Sequence, residues 1–374
     1  MKKLRGCAVL LAVTLFAGCT APVQNDSADA LPEVVGSMDV QYAEQFSVDY
    51  LADGSALAEV ADGRRYLIVP EGGEVPEQLP QDITVISQPE SIYLASSSAM
   101  DLFSSLDGLG NILATSTQEN SWKLPEIAQA MADEDILYAG KYSAPDIELL
   151  MSEGCDLAIE NMMIYHSPKT AEQIESCGIP VLIERSSAES HPLGRLEWVR
   201  LYGLMLGKSD EAEQFFSEKC ELLNDVISRE STGCTAAFFY ISSNGYAVVR
   251  KPGDYISKMI ELAGGKYVLT AEDLKVDENA LSSANIQFEA FYALAKDADC
   301  LIYNGTVDGG VDSLEQLSVK NPLLADFRAF QTGNVWCTNA AVFQQTSAAA
   351  EMTEELHRIF AGGDGEFEFF HKLT

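Results

Sequence analysis

The chain has 374 residues, with 57 acidic against 24 basic side chains and a formal net charge of −33 at pH 7. Such a surface repels nucleic acid and anionic lipid headgroups, so the charge excludes nucleic-acid binding. Hydrophobic residues make up 47% of the chain, which is enough for a sizeable core, and the length fits two domains of ordinary size.

The first nineteen residues have the composition and order of a secretory signal. Lys2, Lys3 and Arg5 form a positive start, residues 8–16 are an apolar run, and two small residues then precede Cys19. The apolar run is too short for a permanent membrane span. We therefore predict a signal peptide over residues 1–19 that resembles a bacterial lipobox, with Cys19 as the lipidated residue. A plain signal peptide with a coincidental cysteine is the alternative.

Residues 20–40 begin polar, small and aperiodic, and we expect a flexible tether there. Residues 41–81 hold two β-like runs, 45–51 and 65–69, with Asp-Gly turns at 53–54 and 62–63. This pattern predicts a β-hairpin or meander.

From residue 82 onward, apolar strand-like runs alternate with helical patterns. The first such strand covers residues 83–87, and the alternation continues to residue 208. Alternation of this kind indicates a parallel sheet with helices on both faces. We assign residues 82–208 to an N-terminal α/β lobe.

A long helix is predicted over residues 209–229, and a second α/β block follows over residues 230–374. Apolar residues from Ala212 to Ile227 recur at helical spacing, and Asp210 and Glu211 lie in the first turn, where acids suit the helix dipole. At 1.5 Å per residue, such a helix is about 28 Å long, enough to join two domains as a rigid strut.

Five segments resemble the class III, or helix-strut, binding proteins of importers for ferric siderophores, haem and cobalamin. In order these are GKYSAPDIELLMSEGCDLAI (140–159), CGIPVLI (177–183), LGKSDEAEQFF (206–216), IQFEAFYALAKDADCLIY (286–303) and NPLLADFRAFQTGNVW (321–336). The resemblance covers about residues 82–360. It implies two Rossmann-like lobes joined by a single long α-helix with a ligand cleft between them. Cys155 departs from the pattern, because the family commonly has Pro there.

Ligands of open α/β sheets bind beyond the carboxyl ends of the strands. Aromatic side chains in those loops could flank a planar or chelate ligand, and arginines could pair with its carboxylates. Each aromatic could instead pack at a lobe edge, and Arg195 and His191 could brace a helix start. The expected ligand-binding residues are Tyr93, Trp122, Lys141, Tyr142, Glu160, Met162, Tyr165, Arg185, His191, Arg195, Asn244, Tyr246, Tyr303 and Asn339.

Glu148 and Glu289 have the spacing to the following strand that the family's permease-docking glutamates show. The resemblance implies that one acid on each lobe pairs with arginines of the permease, a two-point electrostatic contact. Two ordinary solvated acids are the alternative. The implied partners are an ABC permease, its ATPase subunits and a metal-chelate ligand. We expect a monomer, lipid-anchored at the outer face of the membrane, with no cofactor.

Two other functions are alternatives. A bare transition-metal site would draw on His166, His191 and Glu160, because imidazole and carboxylate suit such ions. A single axial His to a haem or corrinoid metal is also open. A secreted hydrolase has no GxSxG, HExxH, P-loop or GxGxxG motif to support it. None of the six cysteines after Cys19 forms a CxxC pair, so free thiols and disulfides both stay open.

Overall fold

The computed structural model describes residues 31–374, and the signal peptide and Cys19 lie outside them. The described chain opens with a five-stranded sheet in the order β1-β2-β3-β4-β5. Gly54 and Gly63, both at a φ of +87°, make the tight turns between β2, β3 and β4, as the Asp-Gly pairs predicted. The strands are β1 (Val34–Ser37), β2 (Phe46–Leu51), β3 (Ala56–Val60), β4 (Arg65–Val69) and β5 (Ile83–Ser87).

Two features of this first sheet differ from the sequence prediction. Strand β1 lies within residues 20–40, so the tether prediction is wrong for that part of the range. Strand β5 pairs in parallel with β4, whereas we expected residues 83–87 to open the next sheet. Both pairings join residues distant in sequence, and local hydrophobic pattern carries no information about them.

The N-terminal lobe contains a parallel five-stranded sheet in the order β12-β11-β6-β7-β8 and a small hairpin, β9-β10. Its elements are β6 (Ile92–Leu94), α1 (Ser97–Ser105), β7 (Ile112–Thr115), α2 (Pro125–Ala132), β8 (Leu137–Tyr138), β9 (Gly140–Lys141), β10 (Ala144–Pro145), α3 (Ile147–Ser152), β11 (Leu157–Asn161), α4 (Pro168–Ser176) and β12 (Val181–Glu184). The central strands β11 and β6 are buried on both faces, as a sheet covered by helices requires.

Two helices follow and connect the lobes, α5 (Pro192–Leu206) and α6 (Ser209–Ser228). Helix α5 is buried all round, and Gly203 lets α6 approach, because a Cβ there would lie 2.4 Å from the Cβ of Ala212. The exposed face of α6 carries charged residues, and Lys219 and Arg229 form ion pairs with Glu351 and Glu354 of the C-terminal lobe.

The C-terminal lobe is built on a seven-stranded mixed sheet, in which β13, β17 and β18 are parallel. Its elements are β13 (Thr235–Ile241), β14 (Ala247–Arg250), α7 (Tyr255–Leu262), β15 (Lys266–Tyr267), α8 (Ala271–Leu274), β16 (Ser283–Ile286), α9 (Phe288–Ala295), β17 (Cys300–Tyr303), α10 (Leu314–Lys320), α11 (Arg328–Thr332), β18 (Val335–Thr338), α12 (Ala349–Phe360) and β19 (Phe370–Lys372). The chain thus forms two α/β lobes with parallel strands, which confirms the predicted fold class.

Two buried carboxylates hold the segment between β1 and β2 against α5. Glu197 accepts backbone hydrogen bonds from Gln41, Tyr42 and Ala43, each at 2.8 Å. Glu189 accepts from the next two backbone amides at 2.8 and 3.0 Å. An ionised carboxylate with several amide donors is well compensated for its burial, so this segment (residues 41–45) is fixed to the N-terminal lobe.

The six cysteines of the described residues are all free thiols, which agrees with one of the two alternatives drawn from the sequence. No helix within residues 31–374 is both long and apolar enough to cross a membrane.

Candidate functional site

A cavity of about 480 Å³ lies at the carboxyl edge of the N-terminal parallel sheet. It is lined by residues that follow β6, β11 and β12, together with two residues from the C-terminal lobe. Those residues are Ala95, Ser96, Ser97, Ser98, Asn161, Met162, Met163, Glu184, Ser187, Ala188, Leu281 and Ser282. The position is the crevice that open α/β sheets use for ligands.

Glu184 organises the serine-rich wall of this cavity. Its carboxylate is fully buried and accepts hydrogen bonds from the Ser96 hydroxyl at 2.9 Å and the Ser186 amide at 2.7 Å. Ser96 precedes α1, so the first backbone N–H groups of that helix lie at the same wall. Hydroxyl and amide donors are therefore concentrated on the N-terminal side of the cavity.

A second cavity of about 220 Å³ lies on the C-terminal lobe and is more aromatic. Its lining consists of Phe238, Tyr240, Val248, Val249, Arg250, Ser283, Asn304, Thr306, Val307 and Phe343. The Arg250 guanidinium is 4.7 Å from the ring centroid of Phe343 and 5.8 Å from that of Phe238. This wall offers flat apolar surfaces and one cation, which is the chemistry that receives a planar or anionic group.

Consecutive residues of one segment, 281–283, line the two cavities. Leu281 and Ser282 line the N-terminal cavity, and Ser283 lines the C-terminal one. Asp254 fixes this shared rim, because one of its carboxylate oxygens accepts from the Ser282 amide at 3.1 Å and lies 3.5 Å from Arg250. The candidate site therefore has a polar wall on the N-terminal side and an aromatic wall on the C-terminal lobe, and residues 281–283 connect them in sequence.

Arg195 is placed at the lobe junction. Its guanidinium lies 4.1 Å from the ring centroid of Tyr255, and both residues line a narrow pocket with Phe343. Arg195 lies in the first turn of α5, and Tyr255 is the first residue of α7 in the C-terminal lobe. Their contact therefore joins the two lobes.

Four of the expected ligand-binding side chains are buried in the lobe cores. Tyr93, Glu160 and Tyr303 are 0% exposed and Trp122 is 5% exposed, which is not the accessible position that we expected. Tyr303 donates to Asp308 at 2.6 Å. Neither carboxylate oxygen of Glu160 has a hydrogen-bond partner among the described residues, and burial raises the pKa of this group to about 8.

Arg185, Tyr165, His191 and Asn339 are engaged in intramolecular contacts. Arg185 donates to the Tyr165 hydroxyl at 2.9 Å and to Gln45 at 3.0 Å, which links the cleft edge to the first sheet. His191 accepts from the Leu193 amide at 3.1 Å, and burial lowers its pKa to about 4. It thus braces the start of α5. Asn339 contacts His371 at 3.0 Å.

Of the expected residues, Met162 lines the main cavity and Arg195 the junction pocket. Lys141, Asn244 and Tyr246 are exposed, and Tyr142 is half-buried against the N-terminal core. These four residues line neither of the two cleft cavities. Glu148 and Glu289 are exposed in the first turns of α3 and α9.

The bare-metal alternative is not supported by the geometry. His191 is used at the start of α5, His166 is exposed in a 3₁₀ turn, and Glu160 is fully buried. Within residues 31–374, no group of three or more His, Cys, Asp or Glu side chains is arranged to hold a metal ion.

Sequence reasoning missed the most characteristic residues of the cleft, Arg250, Phe238, Phe343 and the serines at 96–98. The serine run was a usable signal, since it directly follows a buried strand and precedes a helix. Arg250 and Phe343 gave no such signal, because the first ends an antiparallel strand and the second lies in a loop beyond β18.

The comparisons with known proteins agree with this architecture. The sequence model of the "Periplasmic binding protein" family matches residues 95–342, which cover most of the two lobes and the cleft lining up to Val342. The chain belongs to that family. The matched range begins after the first sheet.

Curated relatives include two uncharacterised lipoproteins of Methanocaldococcus jannaschii. MJ0878 is 25% identical over 76% of this chain and 69% of its own length. MJ0872 is 21% identical over 100% of both chains.

Solved structures with the same fold include the periplasmic haem-binding protein HutB of Vibrio cholerae, with a TM-score of 0.59 and 16% identity over 72% of this chain and 99% of that one. A periplasmic haem-binding protein of Pseudomonas aeruginosa has a TM-score of 0.59 and 17% identity, covering 76% and 98%. The catecholate-siderophore binding protein VctP of Vibrio cholerae has a TM-score of 0.56 and 13% identity, covering 74% and 94%. These likenesses confirm the two-lobe fold.

Proposed function

We propose that this protein is the extracytoplasmic substrate-binding component of an ABC importer, and that it captures an iron-siderophore chelate, haem or a corrinoid. The observation that carries the proposal is the cleft itself. Its main cavity, lined by both lobes, has a polar wall with Met162, and the neighbouring cavity of the C-terminal lobe has an aromatic wall with Arg250 and Phe343.

The chemistry of the cleft suits a large ligand with flat and anionic parts. The main cavity, at about 480 Å³, is within the usual size of small-molecule sites. Phe238, Tyr240 and Phe343 provide surfaces for stacking, and Arg250 provides a cation that a carboxylate or catecholate could pair with. Two structurally similar proteins are known as a haem-binding protein and a catecholate-siderophore binding protein, which supports the same ligand class here.

The helical connection supports a transport role with modest lobe closure. Helices α5 and α6 join the lobes, and the ion pairs from Lys219 and Arg229 tie α6 to α12. A helix resists bending more than the paired strands of other hinges, so the cleft changes little on ligand binding.

The remaining parts of the proposal concern location and partners. Cys19, lipidated after removal of the signal, would hold the protein at the outer face of the membrane and raise its concentration near the permease. The relatives named as lipoproteins support this anchor. Glu148 and Glu289, both exposed and one on each lobe, would dock a monomer onto the permease, whose ATPase subunits drive uptake.

Uptake by the native host tests the transport role. Cells that lack this protein should fail to accumulate one labelled member of a panel of ferric siderophores, haem and cobalamin, and the full-length gene should restore uptake. A Cys19→Ala copy should restore it poorly, because the protein is no longer held at the permease. Unchanged uptake of every chelate in the deletion strain would overturn the proposal.

A further inference from the structure

One loop of the C-terminal lobe is held by the N-terminal lobe. The segment 341–350 follows β18 and spans both cores. Val342 and Phe343 belong to or pack against the C-terminal core, whereas Ala341 and Ala350 pack with the N-terminal core. The loop that carries Phe343 into the ligand cavity is therefore part of the lobe junction.

Gln344 makes the most specific contact of this loop. Its side-chain oxygen accepts from the backbone amide of Lys123 at 2.8 Å, and its side-chain nitrogen donates to the carbonyl of Ser121 at 3.0 Å. The oxygen and the nitrogen of the Gln344 side-chain amide thus each bind one backbone group, and these two groups flank Trp122 in the chain. The backbone amide of Ser347 adds a third link, donating to the buried carboxylate of Asp101 at 2.6 Å.

Phe343 immediately precedes Gln344 and forms part of the aromatic wall. Its ring lies over Arg250 and makes edge contacts with Phe238 and Tyr255, whose ring centroids are each 6.4 Å away. It also lines the junction pocket with Arg195. A shift of the Gln344 contact would therefore move a wall of the cavity.

We propose that Gln344 is a positioning residue for ligand binding: by binding the 121–123 segment of the N-terminal lobe, it places Phe343 and so completes the aromatic wall. The aromatic wall is complete when the Gln344 contact with residues 121–123 holds Phe343 at the position seen in this structure. This inference rests on the proposed function for its ligand-binding part. Its structural part, that Gln344 fixes the loop to the other lobe, can be tested without a ligand.

The ligand-free test is amide hydrogen exchange on Gln344→Ala. The Lys123 amide donates to Gln344, and the Gln344 amide donates to the Ala341 carbonyl at 2.7 Å. Both amides should exchange about tenfold faster in the variant, while the core strands keep their protection. Gln331→Ala is the control, since Gln331 is exposed on α11 and its side chain forms no hydrogen bond within the described residues. Unchanged exchange at position 344 would overturn the inference.

The ligand-binding test is a double-mutant cycle with Phe343→Ala. Haemin, a ferric tris-catecholate and cyanocobalamin serve as probes. For a probe that binds, Gln344→Ala should weaken affinity about tenfold in the native background, as expected for two lost hydrogen bonds, and should have little effect once Phe343 is removed. An equal loss in both backgrounds would show that Gln344 does not act through Phe343.

The two tests separate this inference from the proposed function. If no probe binds, the ligand assignment is wrong, and the exchange result still decides whether Gln344 fixes the loop. Gln344→Glu adds a check, because a carboxylate keeps the acceptor for Lys123 and loses the donor to Ser121. The Lys123 amide should therefore stay better protected than in Gln344→Ala, whereas affinity should fall as in Gln344→Ala because the donor to Ser121 is lost; a native-like affinity would count against the two-sided contact.

Discussion

The guanidinium of Arg250 lies 4.7 Å from the ring centroid of Phe343. The first residue ends β14 and the second belongs to the loop beyond β18, so the tertiary fold alone brings them together. Asp254 lies 3.5 Å from the same guanidinium and fixes its orientation. Arg250 thus places a cation over an aromatic ring at the cleft. We expect ligand affinity to be most sensitive to changes of this residue.

Replacing Arg250 by Met should weaken binding of an anionic chelate by about 10- to 100-fold, because the ligand loses its charged partner and the aromatic wall loses its cation. Arg250→Lys should be intermediate, since an ammonium keeps the charge without the planar stacking surface. Titration by fluorescence measures both. Lys169→Met, which removes an exposed cation on α4, is the control. Equal affinities for Arg250→Met and the control would place the ligand elsewhere.

The double variant Glu148→Ala with Glu289→Ala should abolish uptake and leave ligand affinity within about twofold of the native value, because both carboxylates are exposed and outside the cleft lining. Uptake by intact cells and titration of the purified protein provide the two measurements.

The matched control for docking is Glu126→Ala with Glu315→Ala. These are also exposed acids in first helical turns, one on each lobe. If the control pair stops uptake equally, net charge and not a two-point contact would govern docking. If the Glu148 and Glu289 pair lowers ligand affinity, they belong to the ligand site.

Glu160→Gln should stabilise the protein at pH 8. Burial raises the pKa of Glu160 to about 8 from 4.5, so the folded state keeps a proton that the unfolded state releases. Stability of the native protein therefore falls as pH rises from 4.5 to 8, and the neutral amide removes this penalty. We expect a gain of at most about 3 kcal/mol at pH 7 and about 4 kcal/mol at pH 8, shrinking toward pH 5.

Urea unfolding at pH 5 and pH 8 measures this difference. Glu153→Gln, an exposed acid at the end of α3, should change the free energy of unfolding by less than about 0.5 kcal/mol at either pH. A pH-independent gap between native and Glu160→Gln protein would show that this carboxyl group has an ordinary pKa.

Glu197→Gln should destabilise the protein by about 3 kcal/mol. Glu197 is 0% exposed and receives three backbone amides as well as Arg200 at 2.9 Å, and a neutral amide leaves some of these donors unpaired. Glu213→Gln is a close control, because Glu213 also pairs with Arg200, at 2.7 Å, but its side chain is 55% exposed. That variant should lose less than about 1 kcal/mol.

Similar losses of stability in the two variants would mean that the ion pair with Arg200, and not the buried contact with residues 41–45, is what Glu197 contributes. Thermal or urea unfolding of the matched pair distinguishes these cases.

Local pattern in the sequence predicted most elements of the two lobes. The predicted strands 65–69 and 83–87 have the bounds of β4 and β5, and the long helix predicted over 209–229 agrees with α6 within one residue, because a change of hydrophobic periodicity marks each of them. The first sheet was only partly predicted. Strand β1 was missed in a polar segment, and β5 was placed in the wrong sheet, since strand pairing depends on contacts distant in sequence.

The sequence predicted where the candidate site lies, at the carboxyl ends of the strands, but few of the residues that line it. The rule on strand carboxyl ends led to Met162, which lines the cavity. The same rule selected Tyr93 and Glu160, which lie within β6 and β11. Both faces of these strands are covered, so the two side chains are in the core. Arg250 and Phe343 could not be found in this way, because they converge on the cleft through a hairpin and a loop.

The most direct test of the central claim is a fluorescence titration of the mature, unlipidated protein with ferric siderophores, haem, cobalamin and free iron, zinc and manganese ions. The account predicts saturable quenching by one chelate at submicromolar concentration, a shift of that saturation to about 10- to 100-fold higher concentration in Arg250→Met, and no saturable response to the free ions. Saturation by a free ion alone, or no binding to any member of the panel, would contradict the assignment of a metal-chelate ligand.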